Sequence, residues 1–153
     1  MAEPVVEQIM ANIRDRLEVA FENVHRSTRI ATWQPKDWTL HVSQESLEAN
    51  GDISCPGNPP AQGWTLTALV CGIVKPSDSE IIPVDTFRNR MGAEIVAAAT
   101  DATNWHTWCG LAINTMIGKV EPYIEDTGGT SGVMVRFVIT FRTDENDPYT
   151  VRG

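Results

Sequence analysis

Residues 133–142 read VMVRFVITFR, and the alternation of apolar residues in this stretch decides the fold of the chain. The apolar set shares one face of an extended chain: Val133, Val135, Phe137, Ile139 and Phe141. The opposite face mixes polar and apolar residues: Met134, Arg136, Val138, Thr140 and Arg142. A period of two residues is typical of a strand that is buried on one side only. The stretch therefore predicts a strand in a sheet that has one buried face and one solvent-exposed face.

The C-terminal segment, residues 144–153 (DENDPYTVRG), follows this strand without any comparable pattern. It is acidic, contains a proline, and has no apolar face to bury. Two interpretations stay open from the residues alone. The segment is either a frayed terminus or an arm that something outside this chain holds.

Two amphipathic helices and three more strands are predicted elsewhere. Apolar residues recur at helical spacing over residues 4–23, with Pro4 at a first helical position, and again after Asp85, a good N-cap. The other strands are predicted at residues 38–44, 64–74 and 111–123, with a bulge at Gly118 and a linker at residues 25–37. This order predicts an α+β fold, with two helices packed on one face of a largely antiparallel four-stranded sheet. The length of 153 residues predicts a single domain, residues 1–153.

A long loop is predicted at residues 45–63, ESLEANGDISCPGNPPAQG, which contain three prolines and three glycines. Regular structure cannot extend through such a composition, and loops of this length in a compact domain are often functional. We expect this loop to project from the domain and to become ordered against a neighbouring subunit or partner.

The charge and the cysteines narrow the class of protein. A formal net charge of −8 argues against the basic surface that holds a nucleic-acid backbone, so tight nucleic-acid binding is not expected. An acidic surface is compatible with the lining of a channel through which DNA passes without binding, although most acidic proteins are simply soluble. Three scattered cysteines suit a reducing compartment. The start, MAEPVVEQIM, lacks a signal-peptide pattern and the longest apolar run, LTALVCGIV, is too short to span a bilayer, so a cytoplasmic, soluble protein is expected.

No pattern of catalytic, cofactor-binding or metal-binding residues is found, so we predict no enzyme, no cofactor and no metal. The three histidines lack the spacing of zinc ligands, and no phosphate-binding glycine motif occurs. TGGTSG, residues 127–132, lies between two strands and predicts a hairpin turn. Cys55, or Cys109 near His106, is a possible nucleophile, but an acidic chain does not favour the low thiol pKa required.

Five tryptophans are many for this length, and aromatic residues fill cores as well as interfaces. Trp38 and Trp64 open predicted strands, and we assign them to the core. Trp33 and Trp105 lie in connecting segments, where core and interface remain alternatives.

Taken in order, these segments resemble the tail terminator, or tail-completion, proteins of tailed bacteriophages. The resemblance rests on the N-terminal amphipathic helix, the loop and strand CPGNPPAQGWTLTALV, the helix start PVDTFRNR and the closing FRTDENDPY. It covers nearly the whole chain in order and size, through pattern and without a diagnostic motif. It implies a tail-terminator-like domain of the virion neck that is assembled in the host cytoplasm and has no catalytic residues.

The resemblance also implies partners. Such proteins form a ring, commonly a hexamer, that caps the tail tube protein, stops its polymerisation and meets the head-side connector protein. In a ring each contact is heterologous, so the segment 144–153 could lie on the next subunit. Pro148 would then fix an extended path, Tyr149 would anchor the arm, and Arg152 would pair with an acidic neighbour.

Nine residues are therefore candidates for a subunit or partner interface: Trp33, Pro59, Pro60, Trp105, Asp144, Asp147, Pro148, Tyr149 and Arg152. Three other interpretations are kept. The first is a head–tail adaptor ring of similar size. The second is a small cytosolic α+β enzyme or ligand-binding domain, which would have a concave pocket with converging polar groups. The third is a protein-binding module without a virion role.

Overall fold

The computed structural model describes residues 2–26, 39–74, 84–124 and 131–153. These residues form two α-helices, α1 and α2, and six strands, β1 to β6, and three strands follow each helix. Their bounds in chain order are α1 Val5–Ala20, β1 Val24–Arg26, β2 Thr39–Ala49, β3 Ala61–Val74, α2 Val84–Ala99, β4 Asn114–Ile124, β5 Ser131–Asp144 and β6 Asp147–Val151. Short 3-10 helices lie at Gly51–Ile53 and Trp105–Thr107.

All six strands belong to one mixed sheet in the order β1-β2-β3-β5-β4, with β6 paired to the end of β5. β1 runs parallel to β2, and the other pairs are antiparallel. The prediction of a largely antiparallel four-stranded sheet is therefore wrong, although helices do pack on a sheet, as predicted. β1 was missed because it has only three residues, of which His25 and Arg26 lie where a linker was predicted. β6 was missed because Pro148 and charged residues hide a strand pattern.

The core lies between one face of the sheet and the two helices. The five alternating apolar residues of β5 are at most 2% exposed, as the pattern of residues 133–142 predicted. Residues of both helices join them in one cluster, which includes Ile9, Ile13, Leu17, Met91, Ile95 and Ala99. β5 pairs with β3 on one side and with β4 on the other, so it is the strand that organises the sheet.

The helices start and end close to the predicted positions. Pro4 immediately precedes α1, where a proline costs no intrahelical hydrogen bond. α1 ends at Ala20, where Phe21 turns to an extended conformation. α2 begins at Val84, so Asp85 lies within its first turn and is not the N-cap that was predicted.

The predicted loop at residues 45–63 is largely occupied by structure. β2 continues to Ala49 and β3 begins at Ala61, and the 3-10 helix between them is capped by the Asn50 side chain, which accepts from the Asp52 N–H at 3.0 Å. At Gly63 a Cβ would lie 2.3 Å from Ile53 Cγ1, so glycine allows this connection to fold back onto β3. The connection is thus held by its own chain, contrary to our expectation of ordering against a neighbour.

Residues 144–153 likewise fold back on their own chain. A turn after Asp144 leads into β6, which pairs with β5 through Thr143 and Val151. The backbone N–H of Arg152 donates to the Arg142 carbonyl at 3.0 Å. This differs from both interpretations of the segment, the frayed end and the outward arm.

Some predictions lie outside the described residues. These are the positions of Trp33 and Trp38, most of the linker at residues 25–37, and most of the turn at residues 127–132. Trp64 is described. It is half-buried against the core cluster, and its indole N–H donates to Thr143 Oγ1 at 3.1 Å.

Candidate functional site

Seven of the nine candidate interface residues lie together at one end of the sheet: Pro59, Pro60, Asp144, Asp147, Pro148, Tyr149 and Arg152. They come from the β2–β3 connection and the β5–β6 hairpin. We call this end the hairpin lobe and define it as residues 50–61 and 142–153. Two backbone contacts join its halves, the Glu145 N–H to the Pro60 carbonyl at 2.8 Å and the pairing of Ala61 with Asp144.

Arginine side chains tie the hairpin lobe together. Arg152 Nη1 lies 2.7 Å from Asp144 Oδ1 and also donates to the Pro59 carbonyl at 3.3 Å. Arg142 Nε donates to the Ile53 carbonyl at 2.6 Å. Arg152 thus pairs with an acid of its own chain, where we had expected an acid of a neighbour. Pro148 and Tyr149 remain exposed on the lobe, Tyr149 to 48%.

Asp147 stabilises the turn of the lobe. It accepts from the Thr150 hydroxyl at 2.6 Å and from the Tyr149 N–H at 3.0 Å, and these two hydrogen bonds lower the pKa of its carboxyl below the usual value. The carboxylate therefore makes both hydrogen bonds to residues of β6. Its role in the structure is to hold the hairpin rather than to present a free charge.

Trp105 lies apart from the lobe, in a turn that leads into β4. It is half-buried and stacks on His106, with ring centroids 3.8 Å apart. The next tryptophan, Trp108, is fully buried, and its indole N–H donates to Thr115 Oγ1 at 2.7 Å. Trp108, Cys109 and Gly110 have φ values of 48°, 63° and 85°, in the left-handed region that residues with a Cβ seldom adopt. The turn buries the indole of Trp108 and leaves Cys109 exposed.

Cys109 has the most perturbed exposed thiol of the described chain. Arg16 Nη2 lies 3.5 Å from its Sγ, and hydrogen bonding from Arg16, with smaller contributions from Asn12 and Asn104, lowers the pKa of the thiol. This environment could not be predicted from the sequence, because Arg16 and Asn12 lie on α1, far from Cys109 in the chain. The expectation that an acidic chain would not lower a thiol pKa is wrong at this position, since the local cation decides. By contrast, burial raises the pKa of Cys71 to about 12.

We expect Cys109 to react with iodoacetamide at lower pH than an ordinary thiol, because Arg16 stabilises the thiolate. Arg16→Gln should move the midpoint of the rate against pH upward. The rate is measured by mass spectrometry of the Cys109 peptide between about pH 6 and 9, around the usual thiol pKa. Arg14→Gln is the control, since Arg14 pairs with Asp15 on the same helix. An unchanged midpoint in Arg16→Gln would contradict this account.

An open apolar groove runs between α2 and β4, and we call it the α2–β4 groove. α2 packs over β5 and leaves the neighbouring edge strand uncovered, so that Val120 is 48% and Ile117 41% exposed. Both residues pair with buried residues of β5, Val135 and Phe137, and therefore lie on the core face of the sheet. A hollow of about 380 Å³ is lined by Asn89, Gly92, Ala93, Val96, Ala97 and Val120.

Small side chains shape this groove. At Gly92 a Cβ would lie 3.3 Å from Val120 Cγ1, so Gly92 marks the close approach of α2 to β4. Ala93 and Ala97 lie one helical turn apart and are exposed. Their methyl groups leave room beside Val120 for side chains from another molecule.

The outer edge of β4 is poorly suited to pairing with another strand. Its register shifts between Ile117 and Val120, which confirms the bulge predicted at Gly118. Lys119 and Pro122 follow in the same strand. A bulge, a lysine and a proline are devices by which natural sheet edges avoid strand addition. A partner at this edge would therefore make contact mainly through side chains in the groove.

No groove residue was among the sequence candidates. The apolar residues of β4 read as ordinary core positions, and only the placement of α2 over β5 exposes them. On the opposite face of the sheet, Arg136 pairs with Glu45 at 2.7 Å and also with Glu121, joining β5 to β2 and β4. Lys119 Nζ also lies 3.2 Å from Glu121 Oε2, and hydrogen bonding from Arg136, and to a smaller extent from Lys119, lowers the pKa of Glu121.

Two other kinds of site were searched for within the described ranges. Across residues 2–26, 39–74, 84–124 and 131–153, no three histidine, cysteine or acidic side chains cluster closely enough to hold a metal ion. None of the helices in the described part of the chain is long and apolar enough to cross a membrane.

The chain was also compared with known proteins. It matches no protein-family model, and no curated protein matches it.

Proposed function

We propose that this protein is a structural component of a tailed-phage virion. In this proposal copies of the chain form a ring that caps the tail tube, ends its polymerisation and joins the tail to the head-side connector. The observation that supports the proposal best is the α2–β4 groove, an exposed apolar surface with Val120 at 48% exposure. Contiguous apolar surface on a soluble domain commonly marks a binding site for another protein.

The chemistry of the groove favours a protein partner over a small ligand. Its lining has one polar side chain, Asn89, among small apolar ones. Ligand sites and active sites normally combine an apolar wall with several converging polar groups. The groove is also open to solvent along its length, which suits a helix or a row of side chains from a partner.

The charge of the chain is compatible with the same role. A net charge of −8 is unfavourable for adhesion to nucleic acid, and a ring at the neck must let DNA pass without holding it. The hairpin lobe, which is held by hydrogen bonds within its own chain, adds exposed Tyr149 and Pro148. In the proposed ring such an end is available to the tail tube or to the connector.

The proposal predicts a self-associated protein. Light scattering of the full-length chain should give a mass several-fold above 16.9 kDa, near six times that value for a hexamer. Val120→Glu should raise the concentration needed for assembly by about tenfold or more, because it places a charge in an apolar contact. Met116→Glu is the matched control, since Met116 is 64% exposed on the opposite face of β4.

A functional readout accompanies the mass measurement. Added to growing tail tubes, the wild-type protein should stop elongation, and Val120→Glu should do so only at higher concentration. A protein that stays monomeric at every concentration and leaves tube growth unchanged would overturn the proposal.

A further inference from the structure

Besides the groove, α1 carries a second exposed apolar feature at its C-terminal end. Val19 is 88% exposed, the highest value among the large apolar residues that the structure describes. Ala20 follows it and is also exposed, and both line a shallow hollow with Ala98 and Ala102 of the neighbouring chain segment. We call Val19 and Ala20 the α1 knob. A single exposed valine is common on protein surfaces, but Val19 stands beside Ala20, Ala98 and Ala102 and forms a small apolar patch with them that is open to another molecule.

The knob and the groove lie on different sides of α2. Ala98 lies beside the knob, whereas Ala97 lines the groove. Successive residues of an α-helix point about 100° apart, so the two alanines face different directions. A chain therefore cannot place its own knob in its own groove, but two copies can make this contact.

Charges of both signs lie near the two surfaces. Arg16 lines the hollow at the knob but bonds to Asn12 and Cys109. Glu121 lines the hollow at Arg88 but is paired with Arg136 and Lys119. The remaining unpaired charges are complementary. Glu22 and Asp101 lie beside the knob, are exposed, and form no ion pair within the described residues. Arg88 lies beside the groove, and Arg90 and Glu94 lie on the same helix next to the groove residues Asn89 and Ala93. None of the three forms an ion pair in the part of the chain that the structure describes. On a chain with a net charge of −8, this local excess of arginine next to an apolar groove would attract an acidic helix end.

Arg88 adds a further argument. Its Nε atom is buried and has no hydrogen-bond partner among the described residues. Arg88 lines a small hollow that shares Asn89 and Val120 with the groove. A buried donor without an acceptor is unfavourable, and a movement of the Arg88 side chain would let this donor bond to a carboxylate of a neighbouring copy.

We propose that the α1 knob of one copy seats in the α2–β4 groove of the next copy, with Glu22 and Asp101 facing Arg88 and Arg90. This inference rests on the proposed function, because it names the contact by which the ring is built. Since knob and groove are different surfaces, the contact is heterologous, and repeated contacts of this kind close into a ring or continue as a filament.

Disulfide cross-linking tests the contact directly. The background is Cys55→Ser with Cys109→Ser, which removes the two exposed thiols and keeps the buried Cys71. In this background Val19→Cys together with Ala97→Cys should, on mild oxidation, give a ladder of covalent dimers, trimers and larger species on a non-reducing gel. Asp52→Cys with Ala97→Cys is the control, because Asp52 is exposed on the hairpin lobe, away from both surfaces.

The outcomes separate this inference from the proposed function. Light scattering first establishes whether the background protein assembles. Assembly without a Val19–Ala97 cross-link, or with equal cross-linking in the control, would overturn the knob-in-groove contact and leave the ring standing. A cross-link that stops at the dimer would support the contact and overturn the ring. Monomer under all conditions would overturn both.

A second variant tests the same contact without oxidation. Val19→Asp should raise the concentration for half-assembly by about tenfold, as expected for an anchor residue of an interface. Because Val19 is exposed in the single chain, the melting temperature of the monomer should fall by no more than about 2–4 °C, the effect of an acidic residue near a helix C-terminus. Unchanged assembly of Val19→Asp would argue against the knob.

Discussion

Phe137→Ala is expected to destabilise the protein by about 3–5 kcal/mol, the usual cost of deleting a buried aromatic side chain. Phe137 is fully buried at the centre of β5, and its ring packs edge-to-face against Trp108 with centroids 6.2 Å apart. The change leaves a cavity between the sheet and the helices. At about 2–4 °C per kcal/mol for a domain of this size, the melting temperature should fall by roughly 6–20 °C. Calorimetry or circular dichroism measures this directly.

Val138→Ala on the same strand is the matched control. Val138 is half-buried on the opposite face of the sheet, so its truncation should cost only about 1 kcal/mol or less. A loss below about 1 kcal/mol for Phe137→Ala, or equal losses for both variants, would mean that the two faces of β5 are assigned the wrong way round.

The elements with a clear period were predictable from sequence. α1 repeats its apolar residues at helical spacing, and β5 alternates over its whole length, so their faces follow from local pattern alone. β1 and β6 were not predictable, because three residues are too few for a period and Pro148 interrupts the other strand. Both depend on a partner strand that the local sequence does not specify.

The candidate site likewise has features that the local sequence predicts and features that depend on tertiary packing. Prolines, an aromatic residue and charges distinguish residues 144–153 and the β2–β3 connection in the sequence, and the structure brings both segments together in the hairpin lobe. The sequence could not show that these two segments hold each other through Arg142 and Arg152. Nor could it show the α2–β4 groove, because Val120 and Ile117 have the pattern of core residues. Their exposure is a property of how α2 lies on the sheet.

The second large effect is expected when part of the hairpin lobe is removed. Removing residues 147–153 should lower the free energy of unfolding by about 2–3 kcal/mol, summing a few hydrogen bonds, a half-exposed ion pair and a partly buried valine. The deleted residues include Val151, which packs against the core, and Arg152. The Arg152 side chain pairs with Asp144, and its backbone N–H donates a hydrogen bond to the Arg142 carbonyl. A frayed end or an outward arm, the two interpretations from the sequence, would contribute little to the stability of the monomer. Urea denaturation of full-length and truncated protein measures the difference.

Tyr149→Ala separates the two roles that the segment could have. Tyr149 is 48% exposed, and the interactions that hold β6 come from its neighbours Asp147, Val151 and Arg152, so the free energy of unfolding should change by no more than about 0.5 kcal/mol. If the lobe also docks on the tail tube or the connector, the same variant should weaken that contact by about 2 kcal/mol, as loss of an aromatic anchor typically does.

A truncated protein as stable as the full chain would show that β6 detaches in solution. In that case the segment would be free to reach a neighbour, and the arm interpretation would return. A truncation that destabilises the monomer, combined with a Tyr149→Ala variant that assembles normally, would instead restrict the segment to holding the β2–β3 connection in place.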